Sequence, residues 1–227
     1  MQGEPAHPAA RDGRAGRPGR DPVGLRRHPQ PGGRRVILDG LQEVIPTTAG
    51  EFRLRPVHLP DDLPQLAEWM NDPAVAAFWE LAGPPGVTEQ HLRPQLDGDG
   101  RSLPRLGLLD GVPMSYWEIY RADLDPLARH YPAQPHDTGV HLLLGPAGTR
   151  GRGLGSTLLA ALAERILQAR PACGRVVAEP DIRNTPSVRA FRNAGFELAA
   201  ELDLPTKRAA LMIRRRPQTP LRTGRHG

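Results

Sequence analysis

The sequence contains only one cysteine, Cys173, and no long apolar run. A single cysteine excludes a disulfide framework and is typical of a protein from a reducing compartment. A helix that spans a bilayer needs ~20 consecutive apolar residues, and the Arg-rich N-terminus lacks the apolar segment of a secretory signal. We therefore expect a cytoplasmic protein without a membrane span.

Arginine residues outnumber acidic residues at both ends of the chain. Residues 1–50 contain eight arginines against five acidic residues, and residues 214–227 contain five arginines and no acidic residue. The segment between them, 51–213, has a net charge of −3, although the whole chain has a net charge of +5. A nucleic-acid-binding domain is expected to have a basic face on its folded surface. We therefore predict no nucleic-acid partner.

The same three segments differ in composition. Residues 1–50 are rich in Pro, Gly, Arg and Ala without apolar periodicity. Because burial cannot offset the entropy of ordering such a segment, we predict a disordered extension. Residues 51–213 contain the patterned apolar residues of one folded domain, and we expect residues 214–227 to form a basic, flexible tail.

The folded segment alternates between strand and helix periodicities. Asp110-Gly111 lies between two apolar runs and predicts a hairpin with a two-residue turn. Thr185-Pro186 predicts the start of a late helix, with Thr185 as its N-cap. The order β, helices, β-hairpin, β, α, β, α, ββ predicts an α/β domain with a mixed sheet.

A glycine-rich loop, Arg150-Gly-Arg-Gly-Leu-Gly155, follows a strand pattern at 140–144 and precedes an amphipathic helix. Glycines let the backbone approach a ligand closely, and the free N–H groups of a helix N-terminus attract negative charge. A Walker loop needs a lysine, but Lys207 is the only lysine in the chain, and the glycine spacing does not match the dinucleotide fingerprint. We predict a phosphate or pyrophosphate site; a loop that only turns the chain is the alternative.

The spacing Arg150-x-x-Gly153-x-Gly155 resembles the coenzyme A pyrophosphate loop of the GCN5-related N-acetyltransferase (GNAT) superfamily. Five further pieces, in the same order, resemble the acyltransferases of hydroxamate siderophore biosynthesis, which include the mycobactin lysine N-acyltransferase and the aerobactin and desferrioxamine N-hydroxyamine acyltransferases. The pieces are Ala67-Glu-Trp-Met-Asn71 with Phe78-Trp79-Glu80, Ser115-Tyr-Trp-Glu-Ile-Tyr120, Asp137-Thr-Gly-Val-His141, Glu179-Pro-Asp-Ile-Arg-Asn184 and Leu204-Pro-Thr-Lys-Arg-Ala-Ala-Leu-Met212.

The resemblance implies a GNAT fold over residues 51–213, with a mostly antiparallel sheet that is splayed at the acyl-CoA site and flanked by helices. It implies transfer of an acyl group from acyl-CoA to the nitrogen of lysine, N6-hydroxylysine or an N-hydroxydiamine. The acyl group is acetyl, succinyl or longer, and an acyl carrier protein is an alternative donor. We expect no metal and a monomer or dimer.

The resemblance also implies roles for individual residues. Asp181 is the expected proton acceptor, and His141 binds the acceptor substrate or assists proton transfer. In the other interpretation, Asp181 is a capping residue and His141 a half-buried histidine with satisfied hydrogen bonds. The expected coenzyme A contacts are Leu142, Leu144, Arg150, Gly151, Arg152, Gly153, Leu154, Gly155, Ser156 and Asn184.

The aromatic strand pattern at 116–120 suggests the acceptor pocket. Trp117, Glu118 and Tyr120 are candidates for its lining, with Glu118 or Asp137 attracting the ammonium group of a diamine. Aromatic packing beside a solvated carboxylate is the alternative. Many GNAT enzymes have a tyrosine that protonates the leaving thiolate, but Phe191 occupies that position here, so water or another group must return the proton.

Two other functions remain open from the sequence. An aminoglycoside 6'-N-acetyltransferase has the same fold, and the −3 charge of residues 51–213 permits a cleft for polycationic sugars. That alternative does not account for the pieces at 115–120 and 204–212. The second alternative is a non-catalytic module that binds acyl-CoA, which the combination of the glycine loop with His141 and Asp181 argues against.

Overall fold

The computed structural model describes residues 41 and 43–217. Most of the predicted N-terminal extension and residues 218–227 of the predicted tail lie outside the described residues. Within the described part, no helix is both long and apolar enough to cross a membrane.

The described residues form one eight-stranded sheet with five α-helices. The sheet has the strand order β1-β2-β3-β4-β5-β6-β8-β7. Its strands are β1 (Ile45–Thr47), β2 (Gly50–Pro56), β3 (Ser102–Leu109), β4 (Val112–Arg121), β5 (Thr138–Leu144), β6 (Arg175–Ala178), β7 (Glu197–Asp203) and β8 (Arg208–Arg215). The α-helices are α1 (Leu63–Asn71), α2 (Pro73–Trp79), α3 (Pro85–Leu96), α4 (Leu154–Ala169) and α5 (Thr185–Asn193), and short 3₁₀ turns cover Ala122–Leu124, Pro126–Arg129 and Ala147–Thr149.

All neighbouring strands are antiparallel except β5 and β6, which confirms the predicted mixed sheet. The predicted hairpin joins β3 to β4, and both turn residues, Asp110 and Gly111, have positive φ angles of 49° and 82°. Positive φ at both central positions is what a type I′ turn requires.

Apolar side chains of β5 alternate between two cores because the side-chain period of a strand is two. Val140 belongs to the core under α4 and α5, and Leu142 packs against that core. Leu143 belongs to the core under α1, α2 and α3. Strand β5 therefore has helices on both of its faces.

The sheet splays between β5 and β6. These strands pair only at Thr138 with Val176 and at Gly139 with Val177, whereas β5 stays paired with β4 as far as Leu144. Gly139 leaves room for the Tyr120 ring, since a Cβ atom there would lie 2.1 Å from Tyr120 Cζ. The splay confirms the expected sheet geometry and leaves one edge of β5 unpaired beyond Gly139.

Ordered structure extends past both predicted boundaries of the domain. Strand β1 lies within the segment that was predicted to be a disordered extension. It is ordered because Ile45 is buried in the core that includes α4. Strand β8 runs into the predicted tail as far as Arg215, and Arg216 donates hydrogen bonds to the carbonyls of Arg170 and Cys173. Burial and side-chain hydrogen bonds, which composition does not reveal, order these residues.

Asp137, a candidate for binding a diamine, forms a buried ion pair instead. Its carboxylate accepts hydrogen bonds from Arg175 Nε at 2.9 Å, Arg175 Nη2 at 2.5 Å and the Tyr131 hydroxyl at 2.9 Å. Asp137 is 1% exposed and does not line the pocket described below. The expectation that it attracts a substrate ammonium group was wrong, because Arg175 neutralises it in the interior.

Replacing Asp137 by asparagine is expected to lower the free energy of unfolding by about 3–5 kcal/mol, since it leaves the buried Arg175 cation without a counter-charge. Denaturant unfolding followed by circular dichroism measures the loss. The same substitution at Asp203, whose side chain is 95% exposed, is the matched control. Equal stability of the two variants would contradict the prediction.

Candidate active site

A pocket of about 230 Å³ opens where β5 and β6 separate. His141 and Leu142 of β5 form one wall, and Glu179 and Asp181, which follow β6, form the other. The lining also includes Trp79 at the end of α2, His91 of α3, Phe191 of α5 and Lys207 in the β7–β8 turn. The structure thus brings the two predicted catalytic residues into one pocket.

His141 lies between two carboxylates. Its Nδ1 atom is 2.9 Å from Glu118 Oε2, and its Nε2 atom is 2.6 Å from Glu179 Oε1. Glu118 is its cross-strand partner on β4, whereas Glu179 reaches it across the gap between the splayed strands. Both ring nitrogens are therefore within hydrogen-bond distance of a carboxylate oxygen. Only the imidazolium form can donate a hydrogen bond from both nitrogens.

The charges of this cluster support the same protonation state. Burial by itself lowers the pKa of His141, but Glu179 and Glu118 outweigh it and raise the pKa to about 10. Burial raises the pKa of each glutamate, and the neighbouring histidine more than offsets this, so the pKa of both carboxyls falls below the usual range. At neutral pH the cluster holds one cation between two anions.

Further donors fix both carboxylates in place. Glu118 Oε1 lies 2.5 Å from His91 Nε2 and accepts hydrogen bonds from the Tyr116 hydroxyl and Gln95 Nε2, both at 2.8 Å. Glu179 Oε2 accepts a hydrogen bond from the Tyr120 hydroxyl at 2.7 Å. The sequence indicated no role for His91 or Glu179, although Glu179 directly follows a strand beside the cleft and belongs to a matched piece.

Asp181 is held by Arg183. Asp181 Oδ2 accepts a hydrogen bond from Arg183 Nη2 at 2.6 Å, and Oδ1 accepts one from the Arg183 backbone N–H at 2.8 Å. The Arg183 hydrogen bond is the main cause of a lowered pKa for the Asp181 carboxyl. Asp181 is therefore ionised at neutral pH and is a weak base at the edge of the pocket.

Strand β5, the glycine loop and α4 have the strand–loop–helix arrangement that was predicted for an anion site. Gly151 and Gly153 have φ angles of 74° and 81°, which disfavour residues with a Cβ. Gly153 is the N-cap of α4, so the N–H groups of Leu154, Gly155 and Ser156 lack intrahelical partners. Together with the helix dipole, they can hold a phosphate or pyrophosphate.

Arg150 shapes the loop that precedes this anion site. Its Nη1 donates to Asp72 Oδ1 at 2.7 Å, and its Nε and Nη2 donate to the carbonyls of Leu144 and Gly145 at 3.0 and 2.8 Å. The expected direct contact of Arg150 with coenzyme A would compete with these bonds. Arg152 is exposed, and its side chain makes no hydrogen bond within the described part of the chain.

The other predicted coenzyme A contacts lie around the unpaired edge of β5. The side chains of Leu142 and Leu144 pack beside Gly155, where a Cβ would meet them at 3.8 and 3.5 Å. Asn184 lines the pocket and caps α5 by accepting a hydrogen bond from the Ser187 N–H at 3.2 Å. The N-cap is therefore Asn184 rather than Thr185, because the amide side chain of Asn184 reaches that N–H.

Three residues were predicted to line the acceptor pocket, and the prediction was wrong for Trp117. It is fully buried in the core under α4 and α5, packs on Phe52, and donates a hydrogen bond to Ser115 Oγ. Glu118 lines the pocket, and Tyr120 lies behind it, where its ring is 5.0 Å from that of His141. Consecutive strand residues lie on opposite faces of a sheet, and the face of β4 that carries Trp117 packs against the core under α4 and α5.

Comparisons with known proteins agree on a family. Residues 58–204 match the family model of the acetyltransferase (GNAT) domain. The lysine N-acyltransferase MbtK of Mycobacterium sp. (strain MCS) is 35% identical over 176 residues, which are 78% of this chain and 71% of that protein. The N(6)-hydroxylysine O-acetyltransferase of Escherichia coli is 36% identical over 152 residues, which are 67% of this chain and 48% of that protein.

Among solved structures, the aminoglycoside acetyltransferase AAC(6')-Ib in complex with coenzyme A is similar. It superposes with a TM-score of 0.63 and 26% sequence identity, over 73% of this chain and 95% of that chain. The fold and this coenzyme A-bound neighbour both support acyl-CoA as the co-substrate of the protein.

Proposed function

The chain belongs to the GNAT acetyltransferase family, and from this premise we propose that it transfers an acyl group from acyl-CoA to the side-chain nitrogen of lysine or N6-hydroxylysine in hydroxamate siderophore biosynthesis. The observation that carries the proposal is the position of Asp181 and His141 on opposite walls of one pocket at the splay of β5 and β6. Lysine and hydroxylysine acyltransferases are the relatives described above.

The residues present fit an acyl-CoA molecule. The N-terminal amides of α4 and the exposed Arg152 can bind the pyrophosphate, and the unpaired edge of β5 can pair with the amides of the pantetheine arm. Acyl-CoA supplies the activated acyl group as a thioester. Phosphate binding at the helix and backbone pairing along β5 orient that group toward the pocket.

Asp181 is the proposed proton acceptor. A free lysine amine has a pKa of ~10.4 and must first lose a proton, a task for which a carboxylate with a lowered pKa is poorly suited. A hydroxylamine is much less basic and is neutral at pH 7, so a weak base suffices once the nitrogen attacks. The Arg183–Asp181 contact therefore favours N6-hydroxylysine over lysine as the acceptor.

His141 acts as a fixed cation in this proposal. Because both of its ring nitrogens donate to carboxylates, it has no free nitrogen to accept a proton. Its positive charge faces the pocket, where negative charge develops on the carbonyl oxygen during acyl transfer. The phenyl ring of Phe191 cannot return a proton to the leaving thiolate, which leaves water or another group for that step.

The aminoglycoside alternative has one observation in its favour, the similarity to AAC(6')-Ib. The pocket argues against it, since its three carboxylates already have His141, Arg183 and Lys207 as cationic neighbours. A polycationic sugar is better bound by carboxylates without such partners.

A thiol-release assay tests the proposal. Acetyl-, succinyl- and long-chain acyl-CoA, and an acyl carrier protein loaded with the best acyl group, are each combined with N6-hydroxylysine, lysine, N-hydroxycadaverine and an aminoglycoside. We expect turnover with the hydroxylamines and slower turnover with lysine. Turnover with the aminoglycoside alone would contradict the proposal, and coenzyme A binding without any turnover would favour the non-catalytic alternative.

A further inference from the structure

Lys207 lies in the tight turn between β7 and β8. The backbone N–H of Leu204 donates to the carbonyl of Lys207 at 2.9 Å, and this bond closes the turn. The side chain lines the pocket and is 28% exposed. The turn therefore presents an ammonium group to the same pocket that contains Glu179 and Asp181.

The ammonium group of Lys207 makes no hydrogen bond within the described part of the chain, unlike the other charged groups of the pocket. Its Nζ atom is 3.8 Å from Glu179 Oε1, which is too far for a hydrogen bond, and it makes no other polar contact within the described part of the chain. The remaining charged or titratable side chains of the pocket all have partners within 2.9 Å: His91, Glu118, His141, Glu179 and Asp181. An ammonium group has three donors, so Lys207 can bind an anionic ligand without breaking an existing bond.

The identity of this side chain is informative because the chain otherwise uses arginine. Lys207 is the only lysine among 30 lysine and arginine residues. A guanidinium is a planar fork that pairs with a neighbouring carboxylate through two hydrogen bonds, whereas an ammonium is a compact point charge. At this position an arginine could close on Glu179, but the lysine leaves its charge open to the pocket.

We propose that Lys207 is a specificity-determining residue that binds the carboxylate of an amino-acid acceptor, so that the enzyme selects hydroxylysine over the corresponding hydroxydiamine. The inference rests on the proposed function and narrows its acceptor class. The carboxylate of N6-hydroxylysine is separated from the reacting nitrogen by a flexible chain of methylene groups. Lys207 holds that end of the acceptor while the nitrogen lies beside Asp181 and His141.

N-hydroxycadaverine tests this directly, because it lacks only the carboxylate of N6-hydroxylysine. We expect the wild-type protein to prefer N6-hydroxylysine by about 10- to 100-fold in kcat/KM, mainly through KM, as one charge-assisted hydrogen bond predicts. In Lys207→Met the preference should fall to about 1, and in Lys207→Arg part of it should remain. The matched control is Arg208→Gln at the residue that follows Lys207. It removes an exposed ion pair with Glu201 and should keep the wild-type ratio.

Calorimetric binding of the two acceptors to the enzyme–coenzyme A complex separates this inference from the proposed function. Tighter binding of N6-hydroxylysine that disappears in Lys207→Met supports the inference even if no turnover is found, in which case the proposed function fails. Equal binding of the two acceptors to the wild-type protein overturns the inference, as does a preference that survives in Lys207→Met. Binding of neither acceptor overturns both.

Discussion

Asp181→Asn is expected to slow acyl transfer by about 10²- to 10⁴-fold, the usual contribution of a positioned general base. Asparagine preserves the size of the side chain and can still accept a hydrogen bond from the Arg183 N–H, but it cannot take a proton from the attacking nitrogen. The α4 N-terminus and the β5 edge are unchanged, so the affinity for acyl-CoA should remain at the wild-type level.

Single-turnover rates and calorimetric titration with coenzyme A measure these two quantities separately. Asp203→Asn, an exposed position on β7, controls for the chemical change itself. A variant of Asp181 that keeps wild-type activity would show that another group accepts the proton. A parallel loss of coenzyme A affinity would show instead that Asp181 supports the structure of the site.

Glu179→Gln is expected to move the alkaline limit of activity to a lower pH. Wild-type His141 has its pKa raised to about 10, with Glu179 the largest of the causes that raise it. Removing that charge lowers the pKa of His141, so the imidazolium is lost as the pH rises through a lower value. Activity that depends on this cation should then fall at a pH where the wild-type protein is still active.

Nitrogen NMR of the imidazole groups gives a readout that a purely structural role of Glu179 would not change. The His141 signals are assigned from their absence in His141→Gln, and they should report a doubly protonated ring in the wild-type protein up to about pH 9. Glu197→Gln, on the exposed face of β7, is the control. Titration of wild-type His141 near its ordinary pKa, or an unchanged titration in Glu179→Gln, would contradict the fixed-cation role.

Local patterns were enough to predict much of the fold. The Asp110-Gly111 turn and the helix that begins at Thr185 are present as predicted, whereas the predicted loop Arg150–Gly155 ends at Gly153 because α4 begins at Leu154. All three depend on backbone preferences of a few neighbouring residues. The order of elements read from these patterns coincides with that of the GNAT family, and the splayed sheet agrees with the resemblance.

Side-chain direction was harder to predict, as Trp117 illustrates. The period of two was evident, but a strand covered by helices on both faces is apolar on both, so the sequence does not indicate which face borders the pocket. Asp137 shows a related difficulty. Its partner Arg175 is distant in sequence, and only the parallel pairing of β5 with β6 brings the two together.

By itself, the sequence determined a glycine-rich loop between strand and helix and the α/β order of elements, because short motifs and local conformational preferences carry that information. The resemblance to the siderophore acyltransferases added the candidate pair His141 and Asp181. Only the tertiary structure decided that Glu179 and Glu118 enclose His141 and that Lys207 faces the pocket with an ammonium group that donates no hydrogen bond to Glu179. The physical reason is that charge state and hydrogen-bond capacity depend on partners from separate strands and turns. Those partners meet only where the sheet splays.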